Sequence, residues 1–368
     1  MKTELLTAQD VDRAAELLRA GRLVGIPTET VYGLGANGLS VMAVRGIFQA
    51  KGRPQDNPLI LHIPDAAWLT NYCEDIPDAA WRLADRFWPG PLTIVLQCKR
   101  RSPEELEELK KGPICSMTHF DRHIIPDVVT AGLDTVGIRC PDHSLCRAII
   151  QRAGVPIAAP SGNTSGRPSP TTAQHMLKDM GGKIDAIVDG GPCQVGVEST
   201  IVDLTCTPPR LLRPGGIPLE ELRSVLTEIE VDPVVIRPMG EGEQPRAPGM
   251  KYRHYAPKAP ITVVKGPPER SAAYILAHLS NTYWDGVICF DEYAHLYQSH
   301  PVEQLGAAQD RWEQARRLFN ALRAMDEAGV KHIWAQCPDT EGMGLAVVNR
   351  LDKAAGFRIV VGTNKDRI

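Results

Sequence analysis

The chain has 368 residues, 43% of them hydrophobic and 23% charged, with a formal net charge of −3 at pH 7. That balance suits a globular protein with room for two cores, and it excludes both a disordered chain and the strong overall basic field of a dedicated nucleic-acid binder. Acidic and polar residues interrupt the N-terminal stretch MKTELLTAQDVDRAAELLRAG, and no apolar run approaches the roughly 18 residues of a membrane span, so a cytoplasmic protein is expected.

Residues 7–22 predict a helix, with Ala14, Leu17 and Leu18 at helical spacing, Thr7 or Asp10 as cap and Gly21 as stop. LVGIP then reads as a buried strand. GLGANG, 33–38, satisfies G-x-G-x-x-G, but TETVY separates it from that strand and no acid stands about 20 residues on, so a glycine-rich turn is expected rather than a dinucleotide loop. A helix in SVMAVRGIFQAKG, a strand in PLILHI, a helix in DAAWRLADRFW and a strand in LTIVLQ follow, and 99–124 reads as a charged helical piece plus a basic irregular piece outside the core. Further strands are expected at TVGIRC, PIAAPS, AIVDG, STIVDL and RLLRPG. Several follow one another with no helix between, which predicts a mixed sheet.

The proline- and glycine-rich stretch 232–259 separates this first domain, 1–231, from a second, 260–368. There ITVV, PERSAAYILAHL, GVICF, QDRWEQARRLFNALRAMDEAG, KHIWAQC, GLAVVNRLDKAAG and RIVV alternate as βαβαβαβ, the pattern of a small Rossmann-like, doubly wound sheet. Nine cysteines without a C-x-x-C pair read as reduced thiols rather than a disulfide framework or a zinc site. No P-loop and no H-E-x-x-H spacing occurs, so a built-in metal site is not expected.

Polar residues cluster where strands end. PTETVYGLG, 27–35, groups Thr28, Glu29, Thr30 and Tyr32; KGRPQDNPLILHI, 51–63, sets Lys51 and Arg53 ahead of a proline-locked segment, where both cations can face one anion. SGNTSGRPSPTT, 161–172, offers small hydroxyls, an amide and glycines, with a helix expected to start at Ser169-Pro170 and to favour phosphate at its free N–H groups. ESTIVDL, 198–204, and RLLRPGG, 210–216, add Ser199 and Arg213. Singly each is ordinary turn chemistry; together they describe a pocket for a polyanion and a small polar molecule.

These blocks, in this order, resemble the YrdC family of threonylcarbamoyl-AMP synthases, and PGMKYRHYAPK, 248–258, with the extra α/β domain resembles its long two-domain form. The resemblance implies a YrdC-like twisted mixed-sheet domain and a nucleotidyltransferase that makes L-threonylcarbamoyladenylate and pyrophosphate from L-threonine, bicarbonate or CO2, and ATP. Magnesium would be held through the ATP phosphates, and the product would feed threonylcarbamoyladenosine formation in tRNA through downstream modification proteins. Carried over residue by residue, ATP would meet Lys51, Arg53, Asn57, Thr135, Ser161, Asn163, Ser169 and Arg213, with Lys51 and Arg53 catalytic. Threonine would meet Thr30, Tyr32, His62, Arg139, the Ala159 backbone and Ser199. The decorated linker reads as a lid, with Lys251, Arg253 and His254 toward phosphate and Tyr252 or Tyr255 over the substrates. Two other readings stay open from sequence: an RNA-binding module using the same cationic surface, and an NAD-linked enzyme using the glycine turn.

Overall fold

The computed structural model describes residues 2–106, 123–237, 239–240, 245–250, 254–280 and 283–362. Most of the 99–124 excursion, together with Lys251, Tyr252 and Arg253, lies outside the described residues.

One mixed sheet holds β1 (Glu4–Leu6), β2 (Val24–Ile26), β3 (Gly33–Asn37), β4 (Ile60–His62), β5 (Leu92–Gln97), β6 (Thr135–Arg139), β7 (Ile157–Ala158), β8 (Ala186–Val188), β9 (Thr200–Asp203), β10 (Arg210–Arg213) and β11 (Glu230–Val231). Their order is β1-β8-β2-β3-β7-β4-β6-β5-β9-β10-β11. Helices α1 (Val11–Arg19), α2 (Val41–Lys51), α3 (Asp78–Phe87), α4 (Ser144–Ala153) and α5 (Ala173–Met180) flank it. Buried aliphatic residues fill the space between, among them Leu34, Ile47, Leu61, Leu83 and Ile94 on one side and Leu18, Ile26 and Ile149 on the other.

Strand register decides which side chains meet. His62 stands opposite Arg139, and Arg139 opposite Thr93, so three strands bring these residues to one row. Thr200 pairs with Leu92, which carries Ser199 to the same end of the sheet.

GLGANG is mostly strand rather than turn: residues 33–37 form β3, antiparallel to both β2 and β7, and only Gly38 enters the turn that follows. Its glycines serve packing, because a Cβ at Gly38 would sit 2.5 Å from Leu61 and 2.9 Å from the Pro156 carbonyl. The glycine motif therefore shapes a close strand approach, which removes the basis of the NAD reading. The expected helix at Ser169-Pro170 starts later, at Ala173, where the Thr172 hydroxyl accepts the His175 N–H.

The second sheet is wholly parallel, ordered β14 (Val302–Gln304), β13 (Asp285–Cys289), β15 (His332–Gln336), β12 (Ile261–Lys265), β16 (Ile359–Val361). Sequence pattern anticipated four of these strands; β14 escaped because its outward residues give VEQ no apolar signature. Helices α6 (Pro268–His278), α7 (Arg311–Ala328) and α8 (Gly344–Ala354) cover it, and among the described residues no helix is long and apolar enough to cross a membrane.

Helices α7 and α8 also pack on the first domain. Arg323 donates to the Asp179 carboxylate at 2.9 and 3.2 Å and to the Pro168 carbonyl at 2.6 Å, and Arg167 pairs with Asp326. Gly196 (φ +80) sits so close that a Cβ would lie 2.4 Å from the Arg316 Cα. Gly196→Ala is therefore expected to destabilise the full chain by about 2–4 kcal/mol, from overpacking plus left-handed backbone strain. Gly191→Ala, at φ +83 with open space around it, should cost only the strain, about 1–2 kcal/mol. Denaturant unfolding of the two variants measures the difference.

Candidate active site

Seven segments converge on a cavity of about 60 Å³ lined by Thr28, Thr30, Arg53, His62, Arg139, Ala159, Ser161, Glu198, Ser199, Arg213, Gly249, His254 and Tyr255. It continues beside Arg53 and His254 into a second space of about 210 Å³ bordered by Asn57, Ser165 and Gly166. A wider cleft of about 1070 Å³ opens between the domains, past Thr171, Cys193, His295 and Arg316, but carries none of the motif cations. Chemistry rather than volume singles out the smaller site.

On the side expected for ATP, Arg53 follows the left-handed Gly52 that ends α2, and its Nη2 donates to the carbonyls of Asn57 and Pro58 at 3.0 and 3.2 Å. Arg213, at the end of β10, donates to the Ser199 carbonyl through Nε and Nη2 at 3.0 and 2.9 Å, to the Ser199 hydroxyl at 3.0 Å and to the Pro248 carbonyl at 3.2 Å. Burial pushes both guanidiniums down to about 10, so both remain charged at neutral pH.

Lys51 differs from its expectation. Its ammonium is buried and donates to the carbonyls of Ser161 and, at 2.5 Å, of Asn163, so it holds the 161–163 loop instead of facing a shared anion with Arg53. Burial, reinforced by Arg53, drives its pKa well below the ordinary lysine value. Asn163 binds the Thr164 and Arg167 carbonyls at 2.8 and 2.9 Å, and Ser169 donates to Glu198 at 2.5 Å. Thr135 lies at the far end of β6 from Arg139, about 13 Å along the strand, and does not line the cavity.

On the side expected for threonine, Arg139 pairs with Glu29 at 2.6 Å and donates to the Thr30 hydroxyl at 2.9 Å, while Ser199 shares a 2.8 Å hydrogen bond with Thr93. Ala159 lines the wall with its own N–H bound to Ile60. Tyr32 does not face the cavity: its hydroxyl donates to the Gly191 carbonyl at 2.7 Å and accepts the Gly190 N–H at 3.1 Å, bracing the loop behind it. Burial, then Arg139, pushes His62 down to about 3 and leaves it neutral.

From the linker, Pro248, Gly249, His254 and Tyr255 line the cavity. Tyr255 is buried, packs at 5.3 Å on Phe319 of α7 and holds φ +65, a conformation rarely taken by residues other than glycine. His254 lines both spaces and is pushed down to about 3, first by burial and then by Arg53. Tyr252 lies outside the described residues.

Two carboxylates were given no role from sequence: Glu29, grouped there with Thr28, Thr30 and Tyr32, is paired with Arg139, and Glu198, unnamed within ESTIVDL, is paired with Arg350 of α8 at 2.9 Å. Asn57 Oδ1, His62 Nδ1, Asn163 Oδ1 and His254 Nε2 are shielded from solvent without a protein partner, the condition of groups that a ligand satisfies.

Residues 16–215 match the Sua5, YciO and YrdC family, described as telomere recombination, and residues 217–356 match a family described as the threonylcarbamoyl-AMP synthase C-terminal domain. A curated threonylcarbamoyl-AMP synthase of Pyrococcus abyssi is 46% identical over 94% of each chain, and one of Bacillus subtilis is 44% identical over 97% of each. A solved structure of P. abyssi Sua5 complexed with L-threonine is 43% identical, covers 98% of this chain and 99% of its own, and superposes with a TM-score of 0.83.

The buried histidines carry a pH signature. Because His62 and His254 titrate near 3 when folded but near the ordinary value of 6.5 when unfolded, the unfolded chain binds more protons between those values and stability falls as pH drops through that window. Each histidine should remove about 1 kcal/mol between pH 6.5 and 5.5. His62→Asn should flatten that acid slope in chemical unfolding measured across the range; an unchanged slope contradicts the assignment.

Proposed function

The chain belongs to the threonylcarbamoyl-AMP synthase family in its two-domain form, and from that membership we propose that it joins L-threonine, bicarbonate or CO2, and ATP into L-threonylcarbamoyladenylate with release of pyrophosphate. The observation that carries this reading is the convergence of Arg53, Arg139 and Arg213 with the hydroxyls of Thr30, Ser161 and Ser199 on one enclosed cavity.

Threonine nitrogen bonds to the carbon of CO2 and releases a proton, or to that of bicarbonate, whose hydroxyl leaves with that proton as water; an oxygen of the resulting carbamate attacks the α-phosphorus, and the bond from that phosphorus to the bridging oxygen breaks as pyrophosphate departs. The nucleophile is already an anion, so no activated serine or cysteine is required. Arg53 and Arg213 supply fixed positive charge for the phosphates, and the protein's work is placement and electrostatics. Arg139 faces the threonine carboxylate; its present contacts to Glu29 and Thr30 hold the guanidinium in one orientation. Lys51 acts through the 161–163 loop, whose carbonyls it fixes.

Magnesium would come with ATP and would supply charge neutralisation at the phosphates. Among the described residues no group of three His, Cys, Asp or Glu side chains forms a cage, and Glu29 and Glu198 are committed to arginines. His254 and Tyr255 keep water from a hydrolysis-prone adenylate, and the product passes to downstream proteins that modify tRNA.

Pyrophosphate release should require ATP, magnesium, threonine and bicarbonate together, with a threonylcarbamoyl-adenylate mass in the reaction; release independent of threonine and bicarbonate contradicts the proposal. Arg213→Gln should lower kcat about a hundredfold with the protein still folded. Bound ATP should also slow proteolysis within 248–258, whereas equal cleavage with and without ATP returns that stretch to a simple tether.

A further inference from the structure

The second domain reaches the cavity along one face of α8. Asn349 donates to the Val235 carbonyl at 2.8 Å, and the buried Lys353 ammonium donates to the Gly249 carbonyl, so the helix grips the linker at two places. Between these grips Arg350, fully buried, crosses into the first domain. Its Nε donates to Glu198 at 2.9 Å, its Nη1 to the Pro214 carbonyl at 2.6 Å, and its guanidinium lies 5.6 Å from the Tyr255 ring centroid.

Glu198 faces the cavity beside Ser199 and accepts the Ser169 hydroxyl. A buried carboxylate at a site for phosphates is tolerable only when its charge is matched. Arg213 also lowers the Glu198 pKa through its charge, but its donors go to Ser199 and Pro248, and the ion pair with Glu198 is made by Arg350.

We propose that Arg350 is a positioning residue of the synthase: it neutralises Glu198 from the second domain, fixing Ser169 and keeping that wall of the cavity receptive to the ATP phosphates. The inference rests on the reading of this cavity as the ATP and threonine site. It gives the second domain a defined part in the reaction beyond packing.

The test uses the full chain, with pyrophosphate release measured as ATP and threonine are varied in turn, at concentrations of folded protein fixed by thermal unfolding. Arg350→Met should raise the KM for ATP at least tenfold. Adding Glu198→Gln to that variant should recover threefold or more, because the unmatched negative charge leaves with it. Arg350→Lys keeps the charge but not both contacts and should raise the KM for ATP at least threefold; it carries the test if Arg350→Met does not fold. Parent-like constants in folded Arg350→Met, or in Arg350→Lys where that is the folded variant, overturn the proposal, as does a double variant no better than Arg350→Met. A parent chain without threonine-dependent pyrophosphate release overturns the synthase reading and this inference with it, so the parent's activity tells the two failures apart.

Discussion

Positive charge taken out of water is the constraint on which this structure turns. Lys51, Arg139, Arg213, Arg350 and Lys353 are all buried: Arg139 and Arg213 line one small cavity together with Arg53, and the other three bond to residues of its wall. An unpaired buried cation costs several kcal/mol, and like charges at close range add to that cost. Each is therefore matched: Arg139 with Glu29, Arg350 with Glu198, and Lys51, Arg213 and Lys353 with backbone carbonyls. The matching is incomplete where carbonyls stand in for carboxylates, since a carbonyl dipole offsets only part of a unit charge. That residue of positive potential suits the site to a polyanion.

The same requirement links the two domains. Glu198 belongs to the segment before β9, Arg350 to α8, and the linker carbonyls of Val235 and Gly249 lie between them in sequence and space. Neither domain satisfies its own buried polar groups at this seam, so the domain contact, the linker path and the cavity wall form one assembly. Gly249, at φ +87, lets the linker pass close to the Tyr255 hydroxyl and Arg213. An enclosed site of this kind restricts water, which matters for a reactive mixed anhydride.

Much of the layout was legible in the sequence. The αβ alternation, the mixed first sheet and the parallel second one followed from periodicity and from strands without intervening helices, and the Thr30, Arg53, His62, Arg139, Ser161, Ser199 and Arg213 positions meet at one cavity. Local pattern failed where the deciding partner was distant. The glycines of β3 look like a turn until residues 156–158 are laid beside them. Lys51 looks like a phosphate ligand until the 161–163 carbonyls appear over it, and Tyr32 looks like a pocket residue until its hydroxyl is found on the 190–191 loop. Arg350 carried no signal, because the carboxylate that explains it lies 152 residues earlier in the chain.

Calorimetric titration separates the threonine and ATP positions proposed for the cavity. L-Threonine and a non-hydrolysable ATP analogue are titrated separately into the parent chain, Arg139→Gln and Arg53→Gln. Arg139→Gln should lose threonine binding while keeping most of its affinity for the ATP analogue, and Arg53→Gln should do the reverse. Equal loss of both ligands in both variants, or retention of threonine by Arg139→Gln, would contradict those positions.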